Sequence, residues 1–150
     1  MSTTGEAGDP GVFLLFRSVQ PGDGRNSAAA LLAGVGAPVE RVRSWCDEGQ
    51  VYALCDLAGC ADEPPAATVV TRAGVEQGTV EVCFVAVAPE RRGLGLDRRM
   101  LDEVAHSLLA AGIRRLVVSA EVADAGTTGG LFERAGFRPD AGRGWYSREL

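Results

Sequence analysis

Apolar residues recur along this chain with two different periods, and each change of period marks an element boundary. Val12 to Val19 reads as a strand that stops at the turn Gln20-Pro21-Gly22-Asp23. Ser27-Ala28-Ala29-Ala30-Leu31-Leu32 carries a short helix, which Gly34-Val35-Gly36-Ala37-Pro38 ends. Pro38 opens a second helix, with Val39, Val42, Trp45 and Cys46 at helical spacing and Gly49 as its stop. Val51 to Leu57 and Ala67 to Arg72 are strands flanking the polar loop 58–66. Gly74 and Gly78 then bracket a tight connection into a long strand, Thr79 to Ala88. Three strands joined by short loops predict an antiparallel meander.

The rest of the chain is organised around residues 80–101. A buried strand ends at Pro89, a short basic glycine loop follows at 91–95, and a helix begins. Met100, Leu101, Val104, Leu108 and Leu109 form the helix's apolar face, and Gly112 lies near its end. Glycines allow close backbone approach, and the first N–H groups of a helix are unsatisfied, so this junction is suited to an anion. Residues 114–121 form the next strand, and a strand–helix–strand order of this length favours a parallel crossover. The predicted sheet is therefore mixed, antiparallel at first and parallel at its centre. A short helix at 128–135, weakened by Gly129 and Gly130, precedes a last pair of short strands at Phe137 and at Trp145 to Arg148. Residues 1–11 are small and polar, a frayed, disordered start to a single domain at 12–150.

Val87-Ala88-Pro89-Glu90-Arg91-Arg92-Gly93-Leu94-Gly95-Leu96 resembles the acyl-CoA signature of the GNAT acetyltransferase superfamily, Arg/Gln-x-x-Gly-x-Gly/Ala after a hydrophobic strand. Arg92 and Gly95 fall on two of its fixed points. The third is Asp97, where the family prefers Gly or Ala. Leu131-Phe132-Glu133-Arg134-Ala135-Gly136-Phe137-Arg138-Pro139 is similar to the family's C-terminal Leu-Tyr-Glu-x-x-Gly-Phe segment, and Phe16 to Asp23 echoes its opening strand and turn. The resemblance implies an α/β fold: a mixed, twisted sheet of six or seven strands with helices on both faces. It implies transfer of an acetyl or other short acyl group from acetyl-CoA, the co-substrate, to an amine by direct attack on the thioester. The alternative is a protein of the same fold that no longer acetylates and uses its cleft for a ligand or a reaction without CoA.

Composition narrows the partners. The chain has 150 residues and a net charge of −5, which argues against nucleic acid or an anionic membrane, since both need a basic face. No apolar run is long enough to span a membrane, and residues 1–10 lack the form of a signal peptide, so the expected location is cytoplasmic. Cys46, Cys55, Cys60 and Cys83 include no Cys-x-x-Cys pair and there is one histidine, so no metal site and four reduced thiols are expected. A homodimer is possible, with Trp145 and Tyr146 either meeting the partner or closing the core.

The resemblance assigns roles by position. Backbone N–H groups of Gly93, Leu94, Gly95, Leu96, Asp97 and Arg98, with the Arg92 side chain, would hold the pyrophosphate. Val85, Ala86 and Val87 would hydrogen-bond the pantetheine arm as an added strand does. Arg91, Arg92, Arg98 and Arg99 cluster beside this loop as if to attract phosphate. Asp97 is expected to point outward with Arg98 or Arg99 neutralising it, rather than to compete with the phosphate. Glu81 is the candidate general base, and strict alternation would set Glu81, Cys83, Val85 and Val87 on one side and Val80, Val82, Phe84 and Ala86 on the other. The family's acid tyrosine corresponds to Phe132, a core or pantetheine-packing residue, leaving Tyr146, Cys83 or water to return the proton. The family's Asn corresponds to about Ala125. Glu121 and Asp124, with Glu81, favour a small cationic amine as acceptor.

Overall fold

A computed structural model describes residues 14–20, 23–56, 65–123, 130–140 and 144–150. The elements are β1 (Leu14–Val19), α1 (Asp23–Gly34), α2 (Val39–Glu48), β2 (Gln50–Asp56), β3 (Ala67–Ala73) and β4 (Thr79–Val87). A 3-10 turn at Pro89–Arg91 leads to α3 (Leu96–Ala110), then β5 (Arg115–Ser119), α4 (Ala120–Ala123), α5 (Leu131–Arg134), β6 (Arg138–Asp140) and β7 (Trp145–Glu149). The strands form one seven-stranded sheet in the order β1-β2-β3-β4-β5-β7-β6. Only β4 and β5 are parallel, so the mixed sheet expected from the sequence is present, with its parallel pair at the centre. No helix among the described residues is long and apolar enough to cross a membrane.

Burial explains why β2 to β4 read as nearly continuous apolar runs: the sheet is covered on both faces. On one face Leu96, Met100, Leu101, Val104, Ala105 and Leu108 of α3 pack against Leu54, Val69, Val82, Leu116 and Val118. On the other, Leu31 and Leu32 of α1 and Val42, Trp45 and Cys46 of α2 pack against Val51, Ala53, Val70, Cys83 and Ala86. Leu109, expected on the buried face of α3, is 52% exposed; Ala105 fills that stripe instead. The α1–α2 pair is tied to the sheet by Arg25. It donates from Nε to the Val19 carbonyl (3.0 Å) and from one Nη to the Cys46 and Gly49 carbonyls (2.6 and 3.1 Å). Gly49 stops α2 for a steric reason, since a Cβ there would lie 2.3 Å from the Thr71 carbonyl oxygen.

The alternation expected along β4 is broken. Val70 pairs with Phe84 but Thr71 pairs with Val82, so Cys83 is an extra residue, a β-bulge. Val80 and Val82 therefore share the α3 face with Val85 and Val87, while Cys83, Ala86 and Ala88 lie on the α1–α2 face. Two further expectations change. The strand expected at 114–121 ends at Ser119, whose Oγ accepts the Val122 N–H at 3.2 Å and starts a single helical turn. Cys55 is disulfide-bonded, so the four cysteines are not all reduced, while Cys46 and Cys83 are free thiols.

Candidate active site

The parallel pairing of β4 with β5 covers only Thr79 to Val82 against Arg115 to Val118. Beyond it the two strands part, and among the described residues no strand covers the β5 side of β4 from Cys83 to Val87. A groove of about 170 Å3 runs along this exposed edge to the glycine loop. It is lined by Val85, Ala86, Val87, Arg92, Gly93, Gly95, Leu96 and Asp97 from the sequence-predicted set. Val35 and Arg91 complete it. Val35 comes from the turn after α1, and nothing local in the sequence connects it to the loop. Leu94 projects at the loop's tip, 46% exposed.

The loop's shape depends on two glycines. Gly93 and Gly95 have φ of +85° and +73°, a left-handed conformation that side chains disfavour, and Gly95 is the N-cap of α3. The first helical bond is Arg99 N–H to the Gly95 carbonyl (3.0 Å), so Leu96 and Asp97 have N–H groups with no acceptor within the helix. That of Arg98 is taken: it donates to Asp97 Oδ1 at 2.7 Å. Asp97 thus lies in the groove wall and occupies one of the expected phosphate donors. The outward placement, with Arg98 or Arg99 as counter-ion, is not what the fold adopts. Arg98 lies 4.0 Å from Asp102, and Arg99 donates to the Leu14 carbonyl at 3.0 Å. Of the four clustered arginines only Arg91 and Arg92 line the groove, and Arg91 is paired with Asp56 at 2.8 Å.

A second pocket, of about 320 Å3, opens where the strands part. Cys83 and Ser119, the first residues beyond the last β4–β5 pair, both line it. Glu81, Arg72, Trp45, Ser44, Arg41 and Val122 form the rest. Glu81 is 14% exposed and is held by Arg72 through two bonds, Nε to Oε1 at 2.9 Å and Nη2 to Oε2 at 3.3 Å. Trp45 stacks on Phe84 at 5.9 Å, and Phe84 is the β4 residue between Cys83 of this pocket and Val85 of the groove. At roughly 3.3 Å per residue, Cys83 lies about 7 Å along the strand from Val85. The two cavities are therefore consecutive stations on one strand.

Burial pushes the Cys83 thiol up to about 12, with the Glu81 carboxylate adding to the rise and Arg72 opposing it. At pH 8 the thiol is therefore expected to stay largely protonated. Native protein treated with iodoacetamide at pH 8 is expected to leave Cys83 unmodified, and denatured, reduced protein to modify it fully, as peptide mass mapping will read. Rapid native alkylation would mean that the thiol is neither buried nor protonated.

Other expected site residues lie elsewhere. Tyr146 pairs with Val118 and packs against the α3-side core, on the opposite face of the sheet from Glu81 and outside both cavities. Phe132 is 1% exposed and meets Phe137 edge-on at 5.2 Å, so it packs the core and presents no surface to the groove. Glu121 is exposed on α4. Asp124 and Ala125 lie outside the described residues. Arg41, Ser44, Arg72, Ser119 and Val122 were missed, because only the folded sheet brings α2, β3, β4 and β5 to one point.

The comparisons agree with this geometry. A family model described as the acetyltransferase (GNAT) family matches residues 33–137. No curated protein matches the chain in sequence. Among solved structures, a GNAT-family protein from Desulfovibrio desulfuricans is 21% identical, with a TM-score of 0.72 over 91% of this chain and 98% of its own. A GNAT N-acetyltransferase from Escherichia coli, in complex with CoA, is 20% identical with a TM-score of 0.71, over 94% and 83%. One from Elizabethkingia anophelis, with acetyl-CoA bound, is 15% identical with a TM-score of 0.69, over 92% and 99%. Identities this low speak for the fold alone. The family match, though, spans both the parting strands and the glycine loop, and the chain belongs to the GNAT acetyltransferase family.

Proposed function

We propose that the protein transfers an acetyl, or other short acyl, group from acyl-CoA to the amine of a small acceptor. The observation that carries this reading is the succession of the two cavities along β4: an anion loop, an unpaired strand edge, and then a pocket holding a carboxylate. The residues fit the co-substrate at three points. The N–H groups of the loop from Gly93 to Asp97 would receive the pyrophosphate, Arg92 would add charge, and the free edge at Val85 to Val87 would hydrogen-bond the pantetheine arm. The thioester would then lie near Cys83 and Ser119.

An amine enters as an ammonium ion and must lose a proton to attack. Glu81 would accept that proton, directly or through one water, with Arg72 fixing the orientation of its carboxylate. The nitrogen lone pair forms the new C–N bond, the C–S bond breaks with its electron pair leaving on sulfur, and the acylated nitrogen releases its second proton to solvent. The amine attacks the thioester directly, and burial, which raises the Cys83 thiol, disfavours that side chain as a competing nucleophile. The leaving thiolate regains a proton from solvent in the open groove, since Tyr146 lies across the sheet.

One observation favours the second reading, a GNAT fold without acetyl transfer: Asp97 has taken the Arg98 N–H. Calorimetric titration with acetyl-CoA and CoA separates the two. Micromolar binding, followed by amine-dependent release of free CoA thiol, is the expected result. Absence of binding up to millimolar acetyl-CoA would discard the transferase.

A further inference from the structure

Of the acidic residues that suggested a cationic acceptor, Glu81 lines the acceptor pocket, and Glu121 is exposed on α4 outside its described lining. Among the described residues Glu81 is the only carboxylate in the lining, and Arg72 already engages both of its oxygens. Glu48 stays outside the lining, bound to Ser44 Oγ at 2.7 Å, near enough to Arg72 to act on its charge. The other charged group is Arg41. It projects from the exposed side of α2 into the lining, and no described carboxylate pairs with it. Two guanidinium groups and one carboxylate thus line a pocket in a chain whose net charge is −5. With Arg72 and Glu81 paired, Arg41 is the charged group of the described lining that no described carboxylate engages.

We infer that the acceptor carries a carboxylate as well as its amine, in the manner of a small amino acid, and that Arg41 is the specificity-determining residue. This rests on the acetyl-transfer reading above. The amine would sit at Glu81, beside the parting of β4 and β5. The carboxylate would reach back toward α2, where a guanidinium can receive it through two parallel N–H bonds. Ser119, whose Oγ accepts from the Val122 N–H, keeps its own O–H to donate, and Trp45 and Val122 supply apolar wall. A volume of about 320 Å3 is near the lower end for ligand sites, which limits the acceptor to a small molecule.

The test compares matched acceptors with saturating acetyl-CoA: a set of L-amino acids, their carboxamides and the corresponding decarboxylated amines, read by release of CoA thiol. Wild-type protein is expected to prefer the acid over its carboxamide by about 10-fold in kcat/KM, through KM. Arg41→Gln should bring that ratio to about 1. Arg43→Gln, on the same helix but lining the groove between α1 and α2, should keep it. Arg41 is exposed, so the substitution leaves the core untouched. Equal or better use of carboxamides and plain amines by wild type would overturn this inference and leave acetyl transfer standing. A preference for acids that survives Arg41→Gln would overturn the role of Arg41. Calorimetry that finds no acetyl-CoA binding, or turnover of no amine at all, would overturn the transferase reading and this inference with it.

Discussion

Glu81→Gln is expected to lower kcat/KM for amine acetylation by about 10^2- to 10^4-fold, the usual contribution of a positioned general base. The substitution is nearly isosteric, and its amide oxygen can still accept from Arg72, so the pocket wall keeps its shape. What disappears is the capacity to hold the ammonium proton. Acetyl-CoA affinity should stay within about 2-fold, because Glu81 lines the acceptor pocket and not the groove. The pH profile adds a second readout. As pH approaches the acceptor's own pKa, free amine becomes available without a base, so the variant's deficit should narrow at high pH. A loss of less than about 10-fold near neutrality would place the base elsewhere and reduce the Arg72–Glu81 pair to a structural bridge between β3 and β4.

Asp97→Gly should tighten CoA binding by about 10- to 100-fold. At the groove wall the carboxylate opposes the pyrophosphate charge and ties up the Arg98 N–H at 2.7 Å. Two unit charges about 5 Å apart interact by roughly 3 kcal/mol at an effective dielectric constant of 20, and solvent in an open groove reduces this. A net gain of about 1.4 to 2.7 kcal/mol corresponds to the range given. The change has a structural cost. Glycine weakens the first turn of α3 by about 1 kcal/mol and removes a favourable carboxylate from the helix N-terminus, so Tm should fall by a few degrees. Asp97→Asn separates the terms, since it removes charge while keeping the side chain. Equal affinity in all three proteins would show that Asp97 swings clear when phosphate binds.

The central strand, the glycine loop and the mixed sheet were legible because each is written in local terms: an apolar run, glycines at a turn and a period of 3.6 residues. Most of the groove followed from the same stretch. What the sequence hid was relational. The bulge at Cys83 leaves no mark in a run where nearly every residue is apolar, so counting by twos put Cys83 and Val85 on one face. The sequence placed Glu81, Glu121 and Asp124 near the expected cleft but gave no sign of what each would pair with. The cross-strand register set Arg72 beside Glu81, and that pairing depends on the length of the β3–β4 connection. Tyr146 was an acid candidate by nearness in sequence, and its place in β7 turned it toward α3.

The bulge also bears on how this chain tolerates changes of length. Losing one residue from the middle of a buried strand ordinarily inverts every side chain beyond it and ruins the core. Here the opposite holds. With Cys83 skipped, the run Val80-Glu81-Val82-Phe84-Val85-Ala86-Val87 alternates without a break, and Val80, Val82, Val85 and Val87 stay on the face they occupy. The α3-side core would thus keep its pattern without residue 83, while the α1–α2-side core would lose the buried Cys83 side chain. The local bend would change, because bulged strands kink and twist more strongly, and this one sits where β4 leaves β5. Position 83 is a spacer at the point where β4 leaves β5, and a one-residue change of length there keeps the alternation of the α3-side face.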